Sequence, residues 1–255
     1  MTGITDKKAL GGIQLGSFLK KYLPSFLGHK FSGDLEPAEI RKALEEEILQ
    51  RRKQTKKGYV VPNAYMIRMG TEDYQRLSSA RLMEDMIVFA EKVLISSDSF
   101  MDGTLSLRLS EDASMQLGAM EIVSRYEDLQ PKAAADTDSN TLVLSRSDFT
   151  RPLNLPPVRR LASLRVIRGI DAKSYLEIGE RKVYLGRRDQ NDFILTDLNV
   201  SRLHASIEYE RHRHVIRDAG SLNGLFVNGK KMSDACLLSG DEIGIGNTLL
   251  RYEVL

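Results

Sequence analysis

The chain has one cysteine, Cys236, no tryptophan and only four histidines among 255 residues. A lone thiol closes no disulfide and supplies no multi-cysteine zinc site, which fits a reducing compartment. Long apolar runs are missing as well. The best stretch, Met86-Ile87-Val88-Phe89-Ala90, is far short of the ~18 residues that read as a membrane span. Lys7 and Lys8 are followed by no apolar segment or small-residue cleavage site, so no secretory leader is expected. Net charge is scarce too: 37 Lys+Arg against 35 Asp+Glu leave +2. The balance repeats locally, with 18 basic and 19 acidic side chains in residues 1–130 and 14 and 13 in residues 164–255. Neither half carries the basic excess of a nucleic-acid binder. The expectation is a soluble cytoplasmic protein, brought to the inner face of a membrane only through a partner.

Catalytic motifs are also absent. There is no HExxH, no GxxxxGK[ST] and no GxSxG, and Gly244-Ile245-Gly246 lacks the third glycine and the following helix of a dinucleotide fingerprint. His204, His212 and His214 are close in sequence, but no carboxylate or thiolate cluster accompanies them. Reading His212 and His214 as a solvated basic strand end predicts no metal, no cofactor and no catalytic residue.

What is present divides the chain in three. Residues 127–163 hold Pro131, Pro152, Pro156, Pro157 and the small-residue run Ala133–Asn140. They have too little apolar surface to offset their ordering entropy and read as a flexible linker. Residues 1–126 mix two periodicities. Leu15, Phe18, Leu19, Tyr22, Leu23, Phe26 and Leu27 recur at helical spacing. A second helix starts at Pro37 with Glu36 and Glu39 at its positive end, its stripe is Ile40, Ala43, Leu44 and Ile48, and Gly58 is its expected stop. Tyr59–Met69 alternates as a strand, Thr71 caps one helix reaching about Leu94, and Leu105, Leu107 and Leu109 alternate again. This predicts a small α+β domain with helices against a short antiparallel sheet.

Residues 164–255 contain short apolar runs separated by Gly, Asn and Asp, with no helical stretch, and predict an all-β sandwich. Asn228-Gly229 marks a tight hairpin turn. Polar residues gather in spaced groups: Gly186-Arg187, Ser201-Arg202-Leu203-His204-Ala205, Asp218-Ala219-Gly220-Ser221-Leu222-Asn223-Gly224, Val227-Asn228-Gly229 and Gly240-Asp241-Glu242-Ile243-Gly244. In this order and register they resemble the forkhead-associated (FHA) domain.

That resemblance implies recognition of phosphothreonine peptides through Arg187, Ser201, Arg202 and Asn223. The chemistry is suited to it. A guanidinium offers a bidentate fork to phosphate, a hydroxyl adds a donor, a second cation adds charge, and an amide can bond the peptide backbone. Gly186, His204, Asp218, Ser221, Gly224 and Asn228 are expected to hold the loops, with His204 bracing the phosphate loop from below. One position departs from the family pattern: the residue before Asn223 is often Thr or Ser, and here it is Leu222, so one phosphate donor is missing.

Leu35–Ile40, Ala43–Glu47, Val61–Tyr65 and Glu72–Tyr74 resemble the N-terminal domain of bacterial FhaA-type proteins. That second resemblance implies an adaptor in bacterial Ser/Thr kinase signalling, linked to cell-wall synthesis or division. Its partners would be a phosphothreonine-bearing kinase, pseudokinase or substrate, and a second protein bound by the N-terminal domain. Thr137, Thr141 and Thr150 in the linker are open to phosphorylation and capture by the sandwich. Two competing readings are a phosphorylation-independent scaffold, and a nucleic-acid or membrane-surface binder acting through Arg51-Arg52-Lys53-Gln54-Thr55-Lys56-Lys57.

Overall fold

The computed structural model describes residues 33–127 and 159–255, with the backbone alone of 29–30 and 141–145. The helical repeat expected over Leu15–Leu27 lies outside the described residues, as do Thr137 and Thr150.

The N-terminal region runs β1 (His29–Lys30), α1 (Pro37–Gln50), β2 (Lys53–Thr55), β3 (Gly58–Val61), β4 (Ala64–Met69), α2 (Thr71–Leu77), α3 (Ala80–Ser96), β5 (Ser99–Met101), β6 (Ser106–Glu111), β7 (Ala119–Arg125) and β8 (Thr141–Ser145). Pro37 occupies the first turn of α1, and the Glu36 N–H donates to the Glu39 carboxylate at 2.8 Å in a capping box. The main sheet has the order β1-β7-β4-β6-β8. It is mixed, which corrects the antiparallel expectation: β4 pairs parallel with β6 and antiparallel with β7. A parallel pair needs a long crossover, and α2, α3 and β5 supply it. Tyr65, Ile67 and Met69 alternate inward and pack with α1 and α3.

Three local expectations change. Helix α1 ends at Gln50, not at Gly58, because residues 53–61 fold into the β2–β3 hairpin. The single long helix is two, broken where the Ser79 hydroxyl accepts the Leu82 N–H and caps α3; Gly70, not Thr71, is the N-cap of α2. The expected linker contains a strand, β8, which pairs antiparallel with β6 and places Thr141 opposite Ser110.

The C-terminal region is a sandwich of β9 (Ala162–Arg168), β10 (Tyr175–Ile178), β11 (Val183–Gly186), β12 (Phe193–Ile194), β13 (Ala205–Glu210), β14 (Arg213–Asp218), β15 (Leu225–Val227), β16 (Lys230–Met232), β17 (Asp234–Cys236), β18 (Glu242–Ile245) and β19 (Thr248–Val254). One sheet has the order β10-β9-β19-β18-β15-β16 and the other β12-β11-β13-β14-β17. Leu164, Val166, Ile243 and Leu250 from the first meet Leu185, Ile207 and Ile216 from the second in one buried core. Asn228 takes φ 50° in the β15–β16 turn, as the Asn-Gly pair predicts.

The two regions are docked. Helix α3 turns Met83, Met86, Ile87, Ala90 and Leu94 into the N-terminal core. Val88 and Ile95, on another of its faces, join the sandwich core. Glu91 lies on that same face, fully buried, where it takes a hydrogen bond from the Tyr209 hydroxyl and meets His212 Nδ1 at 2.8 Å; His212 Nε2 meets the Gly103 carbonyl at 3.0 Å. Arg211 pairs with Asp102 and Arg213 with Asp98, and both guanidinium groups lie over the Phe100 ring. The solvated strand end expected at His212 and His214 is therefore interior, at 3% and 1% exposure. His214 presents Nε2 to the Gly179 carbonyl at 2.8 Å and Nδ1 to the Tyr252 hydroxyl at 2.7 Å. No helix of the described residues is long and apolar enough to cross a membrane.

Candidate functional site

Strand β11 ends, β13 begins and β14 ends at one edge of the sandwich, so the loops that leave them, 187–192, 197–204 and 219–224, share that edge. The hairpin docked on α3 is at the other end of β13. Six residues at ~3.3 Å each separate the two.

Backbone bonds lock the three loops together. The Arg187 N–H donates to the Ser201 carbonyl at 3.0 Å and the Arg188 N–H to the Arg202 carbonyl at 3.2 Å. Close approach here depends on Gly186, since a Cβ at this position would stand 2.5 Å from the Arg202 carbonyl oxygen. His204 is fully buried beneath the loops. Its Nδ1 accepts the Ser201 N–H at 3.0 Å, which leaves the proton on Nε2 to reach the Gly224 carbonyl at 3.1 Å. One neutral imidazole thus ties the second loop to the third, and burial pushes its pKa below the usual histidine value.

The third loop is folded by Asp218, whose carboxylate accepts the N–H groups of Gly220 and Ser221, both at 3.1 Å, and the Ser221 hydroxyl. Ser221 Oγ then accepts the Gly224 N–H at 3.0 Å, and Gly224 sits at φ +87°, where an L side chain is strained. Asn228 acts at the far end of β15, bonding Asp241 at 2.8 Å and the Glu242 N–H at 3.0 Å, so it holds the scaffold away from the groove.

Against this frame lie the residues expected to touch ligand. The loops enclose an open groove of about 620 Å3 lined by Arg187, Ser201, Arg202 and Asn223, all four of the expected set, together with Arg188 and Leu198. Ser201 Oγ accepts the Leu222 N–H at 3.0 Å, which leaves its own hydroxyl proton to donate outward. Asn223 Nδ2 donates to the Asn199 carbonyl at 2.7 Å, keeping its carbonyl oxygen and second N–H available. Among the described residues no carboxylate pairs with Arg187, Arg188 or Arg202, and none lines the groove. Leu222 and Leu198 stand out at its rim, 89% and 79% exposed.

Several contributing residues escaped the sequence reading. Asn191 Nδ2 bonds the carbonyls of both Arg188 and Arg202 at 2.8 Å, and buried Asp197 accepts N–H groups from Asn199 at 2.9 Å and Asn247 at 2.6 Å. The pair Asn191-Asp192 directly precedes a recognised strand, so an Asn beginning that motif was the available signal. Asp197 and Arg188 had none, because their roles depend on which loops meet.

Comparison with known proteins agrees with this architecture. The FHA domain family matches residues 183–246, and the family of the FhaA N-terminal domain matches residues 14–123. The chain is 39% identical to glycogen accumulation regulator GarA of Mycobacterium tuberculosis over 98 residues, 38% of this chain and 59% of that protein. GarA of Mycolicibacterium smegmatis is 31% identical over 151 residues, 59% of this chain and 89% of its own length. An oxoglutarate dehydrogenase inhibitor of Corynebacterium jeikeium is 38% identical over 91 residues, 36% of this chain and 63% of that protein. The chain spans 59% of the length of the first of these relatives. With its two halves matched in order, the chain belongs to the bacterial FHA-domain proteins and carries an FhaA-type N-terminal domain.

Proposed function

We propose that this protein is a non-catalytic adaptor that reads phosphothreonine in bacterial Ser/Thr kinase signalling. The observation that carries the reading is the groove itself: a Ser201 hydroxyl in the lining with its proton free to donate, among three arginines that have no acidic partner among the described residues, and no carboxylate of those residues in the lining. In this reading Arg187 grips two phosphate oxygens, Ser201 donates to the third, Arg202 adds charge and Asn223 holds the peptide backbone. The relatives named as a regulator and as an inhibitor support action by binding, not by chemistry on a substrate. A kinase, pseudokinase or kinase substrate supplies the phosphothreonine, the N-terminal domain engages a second protein, and the output is control of cell-wall synthesis or division.

The competing basic-run reading is the weaker. Arg52 lies over Tyr59, Lys53 lies over Tyr126, and Arg51 pairs with Glu47 at 3.2 Å, so three of its five cations have partners within the N-terminal domain.

Calorimetric titration of the full chain with matched phosphothreonine, phosphoserine and unphosphorylated peptides tests the reading. Binding is expected for the phosphothreonine peptide alone. Equal binding of the unphosphorylated peptide would instead establish a phosphorylation-independent scaffold.

A further inference from the structure

The groove holds more positive charge than one phosphothreonine can use. A phosphate ester near neutral pH carries at most about two negative charges. Arg187 and Arg202 together balance a dianion, and the Arg187 fork with the Ser201 hydroxyl accounts for its three free oxygens. Arg188 is left over. It is exposed, lines the same groove and has no acidic partner among the described residues; Asp189, next in the chain, does not line the groove.

Its position is built, not incidental. Consecutive residues of a regular strand point to opposite faces, so Arg187 and Arg188 would ordinarily diverge. Here the strand has already ended at Gly186, and the chain bends at both arginines. The Arg188 N–H bonds the Arg202 carbonyl at 3.2 Å, and the Asn191 amide clamps the carbonyls of Arg188 and Arg202 at 2.8 Å each. The clamp sets Arg188 beside Arg202 and turns two neighbouring arginines into one groove.

We propose that Arg188 forms a second anion subsite, so that the preferred ligand is a phosphothreonine peptide with another acidic group, a phosphate or a carboxylate, one to three residues away. The spacing follows from chain dimensions. Neighbouring Cα atoms are about 3.8 Å apart and an extended peptide advances ~3.3 Å per residue, so an anion near the phosphothreonine falls within reach of a flexible arginine. The inference rests on the phosphothreonine reading above and names the class of peptide that the site prefers.

Titrating the full-length chain and Arg188→Gln with three peptides of one core sequence tests it. The first carries phosphothreonine with neutral flanks, the second has Asp or Glu beside the phosphothreonine, and the third has a second phosphothreonine. At low ionic strength the wild type should bind the doubly anionic peptides about three- to tenfold more tightly than the neutral-flanked one. Arg188→Gln should lose that gain while still binding the neutral-flanked peptide. A gain confined to the third peptide supports the subsite and identifies phosphate as its anion. Binding of the neutral-flanked peptide with no gain from a second anion, or a gain that persists in Arg188→Gln, overturns the subsite and leaves the phosphothreonine reading standing. Failure of the wild type to bind any phosphopeptide overturns that reading, and the subsite with it.

Discussion

The two ends of the sandwich use the same residue types for opposite purposes. At the end docked on α3, Arg211 and Arg213 each face an aspartate and lie over Phe100, and His212 is buried against Glu91. At the other end Arg187, Arg188 and Arg202 line an open groove to which no described residue brings a carboxylate. Burying a charge is tolerated only with a partner; at the docked end the mostly covered Arg213 pairs with Asp98, and the more exposed Arg211 pairs with Asp102. The groove end stays in water, where guanidinium groups with no acidic partner among the described residues are stable. Exposed arginine alone would be unremarkable; exposed arginines held in one groove by backbone bonds and a buried histidine make a candidate site.

The largest expected effect attacks the docked end. Glu91→Ala leaves buried His212 and the half-buried Tyr209 hydroxyl without their shared carboxylate, and breaking a buried pair typically costs about 3–5 kcal/mol. Calorimetric melting should show the loss, and limited proteolysis should show the regions separating, while the groove keeps its affinity for phosphopeptide. If melting is unchanged, the junction is not held by this cluster.

Next in size is the groove. Arg187→Ala should cost roughly 1.5–3 kcal/mol of phosphopeptide affinity, about ten- to a hundredfold, with melting unaffected because the side chain is exposed. Retained affinity would assign the phosphate to other cations.

A third prediction spans both ends. Burial pushes the pKa of His204 and His214 below the ordinary histidine value, with neutral rings bonded in both places. The unfolded chain therefore binds protons more readily than the folded one. The stability from these neutral rings is full above about pH 6.5 and falls as pH drops below it toward the folded values. The carboxylates of Asp73 and Asp197, both held below their usual range, contribute a separate loss at lower pH. Melting temperatures at pH 7.5, 6.5 and 5.5 check the histidine window, and a flat profile there would contradict the neutral assignment.

The smallest effect concerns the missing donor. Leu222→Thr places a hydroxyl at an 89% exposed position whose N–H already bonds Ser201, and should tighten phosphothreonine binding a few-fold. No change or a loss in titration would mean that the hydroxyl does not reach the phosphate.

The contrast between the ends also marks what the sequence could convey. The groove was legible because its residues occur in short spaced motifs that carry a family resemblance: Arg187, Ser201, Arg202, His204 and Asn223 were each named through that resemblance, and all meet at one edge. The docked end was illegible because its partners are over a hundred residues apart: Glu91 with His212, Asp102 with Arg211, Asp98 with Arg213. Local pattern made His212 look like part of a solvated basic strand end. Only the stripe Val88, Glu91 and Ile95 on α3, which carries a glutamate between two apolar residues, hinted at a second buried face. The mixed sheet was missed for a related reason, since alternation reveals a strand but not the direction of its neighbour. The break at Ser78-Ser79 had a visible signal, a capping serine, which the helical periodicity on either side outweighed.

Amide chemical-shift mapping on the full chain during titration with a phosphothreonine peptide tests the central claim most directly. Saturable shifts are expected at Arg187, Arg188, Ser201, Arg202, Leu222 and Asn223, with Arg211, His212 and Arg213 unmoved. Shifts centred on the 211–213 hairpin or on the N-terminal region, with the groove silent, would contradict it.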